Sequence, residues 1–393
     1  MSTFTLPAKS SIVAVAKALE RQLGDGSRDD AIVIELPRGT HVGCGALAFL
    51  GAWGCWHRSQ GRRVLIRGQD DVVRALARMD LHALVGAEPP AVKHRRPESG
   101  YFLPLRTVAD AAARAAIVDA IAKIVWQQFD EASTFLPALY WAVNEIADNI
   151  VIHAESPVPG VVCAQYLPAA HRLEIGICDV GRGLQASLAT TRRVPSHGEA
   201  LSLALERGVT RDPEVGQGNG MAGAKEIVRV NGGQLEVWTG DVCWRLREGR
   251  DDGFVSIPAL QGTGVFFSLD TRRAVDLGDT WIGDAGWMEL LSLRIENAGG
   301  LRVVDHCAST LERSTAKGLC AQAEMFLAQS EEALVLDFDG IPHATSSFLD
   351  ELCGRLAAKV GRDAYVRRVK VANATEIIER MIGSVVTQRL GAA

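Results

Sequence analysis

Asn144-Glu145-Ile146-Ala147-Asp148-Asn149-Ile150-Val151-Ile152-His153 is the stretch of this chain that is most informative about its fold. Apolar residues recur here at helical spacing, at Leu139, Val143, Ile146 and Ile150. The spacing predicts a helix with one buried stripe. Glu145, Asn149 and His153 are four residues apart and share a second, polar face of that helix. A carboxylate and an amide on one face can serve a Mg²⁺ ion and phosphate groups together; the alternative is an ordinary solvated helix face.

A polar strand end comes next in the sequence. The apolar run 173–179 predicts a strand, and Asp179 at its end is followed by Gly181 and Gly183. An acidic side chain in this place can accept a hydrogen bond from an exocyclic amine such as that of adenine. The glycines would let the backbone bend away beneath such a base. The alternative is a simple turn, since Asp and Gly are common turn residues.

A second glycine cluster, formed by Gly216, Gly218 and Gly220, runs directly into a predicted helix at 222–230. This arrangement presents backbone N–H groups and a positive helix end to phosphates. A flexible loop is the alternative reading of the same glycines. Further on, Thr263 stands between two glycines before a predicted strand. Its hydroxyl could support Asp179, or the three residues could form a hairpin turn.

Taken in this order, the motifs resemble the GHKL superfamily, which includes gyrase, heat-shock chaperone, histidine kinase and MutL proteins. The resemblance covers about 103–270 and implies a Bergerat-type α/β sandwich with a mixed, mostly antiparallel sheet. It implies that ATP and Mg²⁺ bind, with Asn149 as the Mg²⁺ ligand, Glu145 as the catalytic base and Asp179 as the adenine reader. The other residues that it implies at the nucleotide are Gly181, Gly183, Gly216, Gly218, Gly220 and Thr263.

The spacing Glu-x-x-x-Asn-x-x-x-His-Ala at 145–154 is most similar to that of bacterial anti-sigma-factor serine kinases. No helix with the signature of a phosphoacceptor histidine precedes it, which argues against an ordinary sensor histidine kinase. Between the two glycine clusters, 184–215 is polar and lacks hydrophobic periodicity. A segment of that kind predicts a mobile lid that buries little apolar surface.

The two ends of the chain repeat one order of elements. Strands are predicted at 31–36, 63–67, 334–338 and 369–373, and helices at 45–57, 71–79, 346–359 and 375–382. A strand–helix–strand–helix unit predicts parallel strands with right-handed crossovers. Both flanks resemble STAS-like domains, although any two such units look alike. The predicted domains are 1–92 (STAS-like), 100–270 (GHKL), a connector at 271–300, and 301–393 (STAS-like), which makes an α+β protein.

The start of the 346–359 helix resembles the loop that carries a phosphorylated serine in STAS-like partners of serine kinases. Ser346 and Ser347 are the candidate acceptors. Thr345 and Phe348 depart from that pattern, which has Asp and Gly there, and a hydroxyl that caps the helix is the alternative role. In the N-terminal unit the equivalent loop, 43–45, has no hydroxyl group.

Within the middle of the chain, helices are expected at 108–129 and around Glu145, and strands at 161–166, 173–179, 234–238, 242–246, 254–258 and 265–269. A linker rich in proline and arginine is expected at 89–99. Helices first and a mostly antiparallel sheet afterwards is an α+β pattern.

Composition limits the class of protein. The chain has 393 residues, 47% of them hydrophobic, and a net charge of −5, which disfavours a nucleic-acid-coating protein. The longest apolar run is broken by glycines and is too short to span a bilayer, and the N-terminus lacks a signal-peptide pattern. The eight cysteines show neither CxxC pairs nor zinc spacing, which predicts reduced thiols and a cytoplasmic protein.

The sequence therefore predicts a nucleotide-dependent regulatory protein that binds ATP and Mg²⁺ and contacts protein partners through its STAS-like flanks. It leaves open whether the protein is an ATPase, a protein serine/threonine kinase or no enzyme. The alternatives are a non-catalytic, ATP-stabilised interaction module and an ATP-driven dimer clamp, so a homodimer is also left open.

Overall fold

The fold is taken from a computed structural model. It describes residues 2–23, 29–90, 101–128, 136–206, 209, 220–273, 275, 300–306, 313–329 and 332–391. Contacts divide the chain into two compact units. The first combines Met1–Leu136 with Ile146–Val275, and the second combines Pro137–Glu145 with Asp276–Ala393. The predicted linker at 89–99 and the predicted connector at 271–300 lie mostly outside the described residues.

The first unit begins with a three-stranded parallel sheet in the order β1-β3-β5. Its strands are β1 (Ser2–Thr5), β3 (Ala31–Leu36) and β5 (Arg63–Gly68), and a separate short pair is formed by β2 (Lys9–Ser10) and β4 (His41–Val42). The helices of this part are α1 (Ile12–Leu23), α2 (Cys44–Ser59), α3 (Asp70–Arg78) and α4 (Leu81–Val85). Ile32 pairs with Val64 in parallel register, which confirms the predicted pairing of β3 and β5.

A five-stranded sheet in the order β6-β7-β8-β10-β9 forms the rest of the first unit, and all four of its ladders are antiparallel. The strands are β6 (Phe102–Val108), β7 (Gly160–Leu167), β8 (Arg172–Cys178), β9 (Gln234–Arg247) and β10 (Arg250–Asp270). The helices are α5 (Ala111–Gln128), α6 (Leu136–His153), α7 (Gly183–Leu188), α8 (His197–Ala204) and α9 (Gly220–Asn231).

Helices cover both faces of the five-stranded sheet. On one face, the N-terminal turn of α2 lies so close to β8 that a Cβ at Gly176 would stand 2.1 Å from the carbonyl oxygen of Cys44. The thiol of Cys163, which is the cross-strand neighbour of Gly176, donates to that same carbonyl at 3.5 Å. On the other face, Ile150 of α6 packs over Gly160 at the start of β7. The sheet whose central strand, β8, leads into Asp179 is thus packed between two helical layers.

Two sequence expectations for this region are wrong in their bounds. The helix expected from 108 begins at Ala111, because 102–108 forms the edge strand β6. The four short strands expected at 234–269 are two long ones, β9 and β10, which continue through Gly240 and Pro258. The register of the β9–β10 ladder shifts between Ser256 and Thr263. These shifts accommodate the residues that the sequence suggested were gaps between separate strands.

The second unit contains a three-stranded parallel sheet in the order β11-β12-β13. Its strands are β11 (Gly300–Arg302), β12 (Leu334–Asp337) and β13 (Val369–Ala372). Its helices are α10 (Val303–His306), α11 (Arg313–Gln329), α12 (Ser346–Leu349), α13 (Arg355–Val360), α14 (Arg362–Arg368) and α15 (Glu376–Gly391). Leu334 pairs with Val369 in parallel register, as predicted. A π-helical turn at Asp350–Gly354 joins α12 to α13.

The chain is therefore a mixed α+β protein with several sheets. The final helix is longer than the predicted 375–382, because Val385 and Val386 continue its buried side. Every helix in the described residues is too short or too polar to cross a lipid bilayer.

Candidate functional site

Asp179 occupies the position directly after β8 and is only 5% exposed. Its Oδ1 atom accepts a hydrogen bond from the N–H of Gly181 at 2.7 Å. Its own N–H donates to the carbonyl oxygen of Thr263 at 2.9 Å. The carboxylate and the main chain of Asp179 are therefore both fixed by the residues that the sequence grouped with it.

Burial raises the pKa of Asp179 from 3.8 to about 6. Backbone hydrogen bonds from Gly181 and Thr263 oppose this rise, since they stabilise the charged form. A carboxylate with a pKa of about 6 is mostly ionised at neutral pH. A buried acceptor of this kind is suited to a ligand that donates a hydrogen bond.

The backbone around Asp179 leaves no room for side chains at two of its glycines. A Cβ at Gly181 would lie 2.1 Å from the carbonyl oxygen of Ala154, and a Cβ at Gly262 would lie 2.1 Å from that of Asp179. Gly262 also has φ +88°, in the left-handed region that favours glycine. Glycine is needed at both positions for the end of β8, the loop after it and β10 to pack together.

The sequence analysis missed a buried threonine in the same place. Thr239 is 0% exposed, and its hydroxyl accepts from the N–H of Leu184 at 3.1 Å and donates to the carbonyl of Gly262 at 3.2 Å. It pairs across the ladder with Thr263. The main chain of Thr263, and not its hydroxyl as expected, makes the contacts with Asp179. The signal that could have identified Thr239 is its position before Gly240, opposite the 262–264 motif.

A cavity of about 280 Å³ opens at this loop. It is lined by Gly181–Gly183, His197, Thr239, Gly240 and 259–262. Among the described residues, Nδ1 of His197 is buried without a hydrogen-bond partner. Small-molecule sites in proteins usually have volumes of about 300–1,000 Å³, so the cavity is close to the lower end of that range.

Helix α6 carries the other predicted site residues, and its end is fastened to the loop. The N–H of Arg182 donates to the carbonyl of Ala154 at 2.9 Å, directly after α6, and Arg182 forms an ion pair with Glu155. The buried Arg114 of α5 pairs with Asp148, next to Asn149. Asn149 is half-buried and lies about 6 Å along the helix axis before His153, the last residue of α6, at 1.5 Å per residue.

The buried stripe of α6 was predicted correctly. Its apolar members are at most 8% exposed, and they are Leu139, Val143, Ile146 and Ile150. Glu145, which belongs to the second unit, is half-buried. Its Oε1 atom accepts a hydrogen bond at 2.5 Å from the hydroxyl of Ser346.

The second glycine cluster is described only in part. Gly220 begins α9, as expected for a glycine cluster that runs into a helix. Gly216 and Gly218 lie outside the described residues. The first unit thus brings together Asp179, Gly181, Gly183 and Thr263, and it places Asn149 and Gly220 on two of its helices.

The expectation that 184–215 buries little apolar surface is wrong for its described part. Leu188, Val194 and Ala200 are buried in one apolar cluster. Partly buried apolar residues pack against this cluster, and they are Leu184, Leu203 and Val209. Periodicity did not reveal the cluster, because its members come from two short helices, α7 and α8, and from the chain beside them.

The sequence left open whether the hydroxyl groups at the start of α12 cap the helix or are candidate phosphate acceptors. Thr345 caps the helix, since its Oγ1 atom accepts from the N–H of Phe348 at 3.0 Å. Ser346 is 3% exposed and donates to Glu145, whereas Ser347 is half-buried.

A metal site made of protein groups alone is not found in the part of the chain that the structure describes. No group of three or more His, Cys, Asp or Glu there could hold a metal ion. A Mg²⁺ ion at Asn149 would therefore need oxygen ligands from a bound molecule or from water.

Comparison with known proteins identifies one domain. Residues 316–379 match the model of a STAS-like domain of unknown function (DUF4325). No curated protein matches the chain. The matched residues run from α11 into α15, so the C-terminal part of the chain contains a STAS-like domain, and such a domain suggests interaction with another protein.

Proposed function

We propose that the chain is a regulatory protein of the GHKL type, which binds ATP with Mg²⁺ and communicates with protein partners through STAS-like domains. The observation that carries the proposal is the buried carboxylate of Asp179, held by the N–H of Gly181 at the mouth of a glycine-lined cavity. An adenine ring can donate from its exocyclic amine to such a carboxylate.

The residues present fit the base of a nucleotide. The cavity has a floor of main-chain atoms at Gly181 and Gly262, where side chains would clash, and the hydroxyl of Thr239 is buried in its wall. The order β6-β7-β8-β10-β9, with helices α6 and α9 beside it, agrees with the sandwich expected from the sequence. Asn149 would hold the Mg²⁺ ion, and Gly216, Gly218 and Gly220 would contact the phosphates.

Bound ATP would supply a transferable phosphoryl group, with Mg²⁺ neutralising its charge. Glu145 is the proposed general base, which would take a proton from a water molecule or from a Ser/Thr hydroxyl. Loss of that proton strengthens the oxygen as a nucleophile. Both reactions, ATP hydrolysis and serine/threonine phosphorylation, need this same role of Glu145.

A non-catalytic, ATP-stabilised interaction module is the second candidate. It is favoured by one observation, which is that the carboxylate of Glu145 is already engaged by Ser346. In that case the nucleotide would stabilise one conformation and would not be consumed.

The N-terminal residues 1–92 are proposed as a second STAS-like domain. Its parallel sheet β1-β3-β5 has strands in chain order, as does the sheet β11-β12-β13 of the matched C-terminal domain. This similarity supports a common architecture for the two flanks, as the repeated order of elements in the sequence predicted.

The test is a calorimetric titration of the purified protein with ATP in the presence and absence of Mg²⁺, with GTP as control. The proposal expects saturable ATP binding that Mg²⁺ strengthens and that GTP does not reproduce, because a guanine ring presents a carbonyl where adenine presents its amine. Phosphate release, measured on the same sample, separates the enzyme from the non-catalytic module. Absence of ATP binding would refute both candidates.

A further inference from the structure

The hydroxyl of Ser346 and the carboxylate of Glu145 lie 201 residues apart in the sequence, yet they form a 2.5 Å hydrogen bond within the second unit. A hydroxyl that donates to a carboxylate makes one of the stronger hydrogen bonds in proteins. Ser346 is 3% exposed, so water hardly competes for this contact.

The position of the Ser346 hydroxyl is fixed by its neighbours. Thr345 takes the helix-capping role, which leaves the hydroxyl of Ser346 to point elsewhere. Phe348 and Leu349, in the same turn, are 0% exposed and anchor α12 in the core of the STAS-like domain. A donor with this support holds its acceptor in one place, so the carboxylate of Glu145 is restrained together with α12.

We propose that the Ser346–Glu145 hydrogen bond is an autoinhibitory contact, by which the STAS-like domain restrains the catalytic base. The inference rests on the proposed function, in which Glu145 takes a proton from the attacking oxygen. The Oε1 atom of Glu145 is held by the Ser346 hydroxyl, so the attacking oxygen would have to compete with Ser346 for it. Displacement of α12, which a protein that docks on the STAS-like domain could cause, would release Glu145 for catalysis.

The contact predicts a gain of activity when the serine is changed. The Ser346→Ala variant should release phosphate from saturating ATP–Mg²⁺ about tenfold faster than the wild type, which corresponds to about 1.4 kcal/mol. Its ATP affinity should stay within about twofold of the wild-type value, since the contact concerns the base and not the binding groups. Ser347→Ala removes the same hydroxyl one residue away and should behave as the wild type.

Two further variants protect the test against a folding defect. Ser346→Thr retains a hydroxyl donor and should retain the low rate. Ser346→Cys has a much weaker donor and should give an intermediate rate.

Hydrogen exchange without nucleotide gives a readout that is independent of turnover. In this experiment Ser346→Ala should exchange faster than Ser347→Ala over 137–145 and 346–349.

The outcomes separate this inference from the proposed function. If the wild type and Ser346→Ala both bind ATP but the rate and the exchange of the two serine variants agree, the autoinhibitory contact is refuted and the ATP site stands. If neither protein binds ATP, both proposals are refuted. A faster rate in Ser346→Ala, with unchanged affinity and a wild-type rate in Ser346→Thr, supports the contact.

Discussion

At the scale of single residues, the burial of Asp179 affects the stability of the fold as well as its proposed role in binding adenine. Its carboxylate is buried in the folded chain, and burial raises its pKa from 3.8 to about 6. A folded state with a raised pKa binds the proton more tightly than the unfolded state does. The stability that protonation gives is therefore complete below about pH 3.8 and is lost as the pH rises to about 6.

This linkage can be measured with the Asp179→Asn variant, whose amide does not titrate. Between pH 4 and pH 7 the free energy of unfolding of the wild type should fall, relative to the variant, by about 2 kcal/mol. Urea unfolding of both proteins across this pH range gives the difference, in which the other carboxylates cancel. Parallel pH profiles would show that Asp179 is not buried as a charged group.

Gly262 allows a second prediction at this scale, with Gly253 of the same strand as its control. Both have positive φ, but a Cβ at Gly262 would strike the carbonyl of Asp179, whereas nothing lies within 4 Å at Gly253. Gly253→Ala should cost about 1–2 kcal/mol from the backbone alone. Gly262→Ala should cost about 1–3 kcal/mol more, as overpacking adds to strain. Urea unfolding compares them, and equal losses would contradict the close packing at Asp179.

At the scale of elements, α6 carries two polar residues, Glu145 and Asn149, for which we propose separate roles. Glu145→Ala should keep ATP affinity nearly intact but abolish hydrolysis or phosphotransfer, because a general base acts in the transition state. Asn149→Ala should instead weaken the Mg²⁺-dependent part of binding. Calorimetry with and without Mg²⁺, together with phosphate release, distinguishes the two. Turnover that survives in Glu145→Ala would show that another group is the base.

An element could be predicted when the pattern that marks it lies within its own residues. The buried strands 31–36 and 334–337 were recognised because each begins with at least three consecutive apolar residues. The strand β6 was missed, since Pro104 in its middle argues against a strand. β6 is at the edge of the sheet, and its register shifts between Leu103 and Arg106, which is where a sheet tolerates proline.

The candidate site was predictable in its motifs and not in its side-chain contacts. Asp179, Gly181 and Gly183 stand close together in the sequence, so their turn could be inferred. Thr239 reaches Gly262 only through the pairing of β9 with β10, and Ser346 reaches Glu145 across 201 residues. Contacts of this kind depend on tertiary packing, which the pattern of one segment does not contain.

At the scale of the whole molecule, α6 belongs to both units, with Glu145 in the second and Asn149 in the first. The proposed function places the Mg²⁺ ion at Asn149 and the general base at Glu145, and both residues belong to helix α6. We expect ATP–Mg²⁺ to shift the population of conformations in both units.

Hydrogen exchange with and without ATP–Mg²⁺ tests this expectation. Protection by the nucleotide should extend from 184–215 to 334–382 if the protein is a switch. Protection confined to 184–215 would indicate a lid without coupling, and no change in either segment would contradict both. A doubled mass with a non-hydrolysable ATP analogue would favour the dimer clamp instead.

The central claim is that the carboxylate of Asp179 accepts a hydrogen bond from the adenine amine of ATP. Calorimetry of wild-type and Asp179→Asn protein with ATP–Mg²⁺ tests this claim most directly. The variant should fold and lose about one to two decades of ATP affinity, because a buried hydrogen-bond partner is worth about 1–3 kcal/mol. Unchanged ATP binding by a folded Asp179→Asn protein would contradict the account.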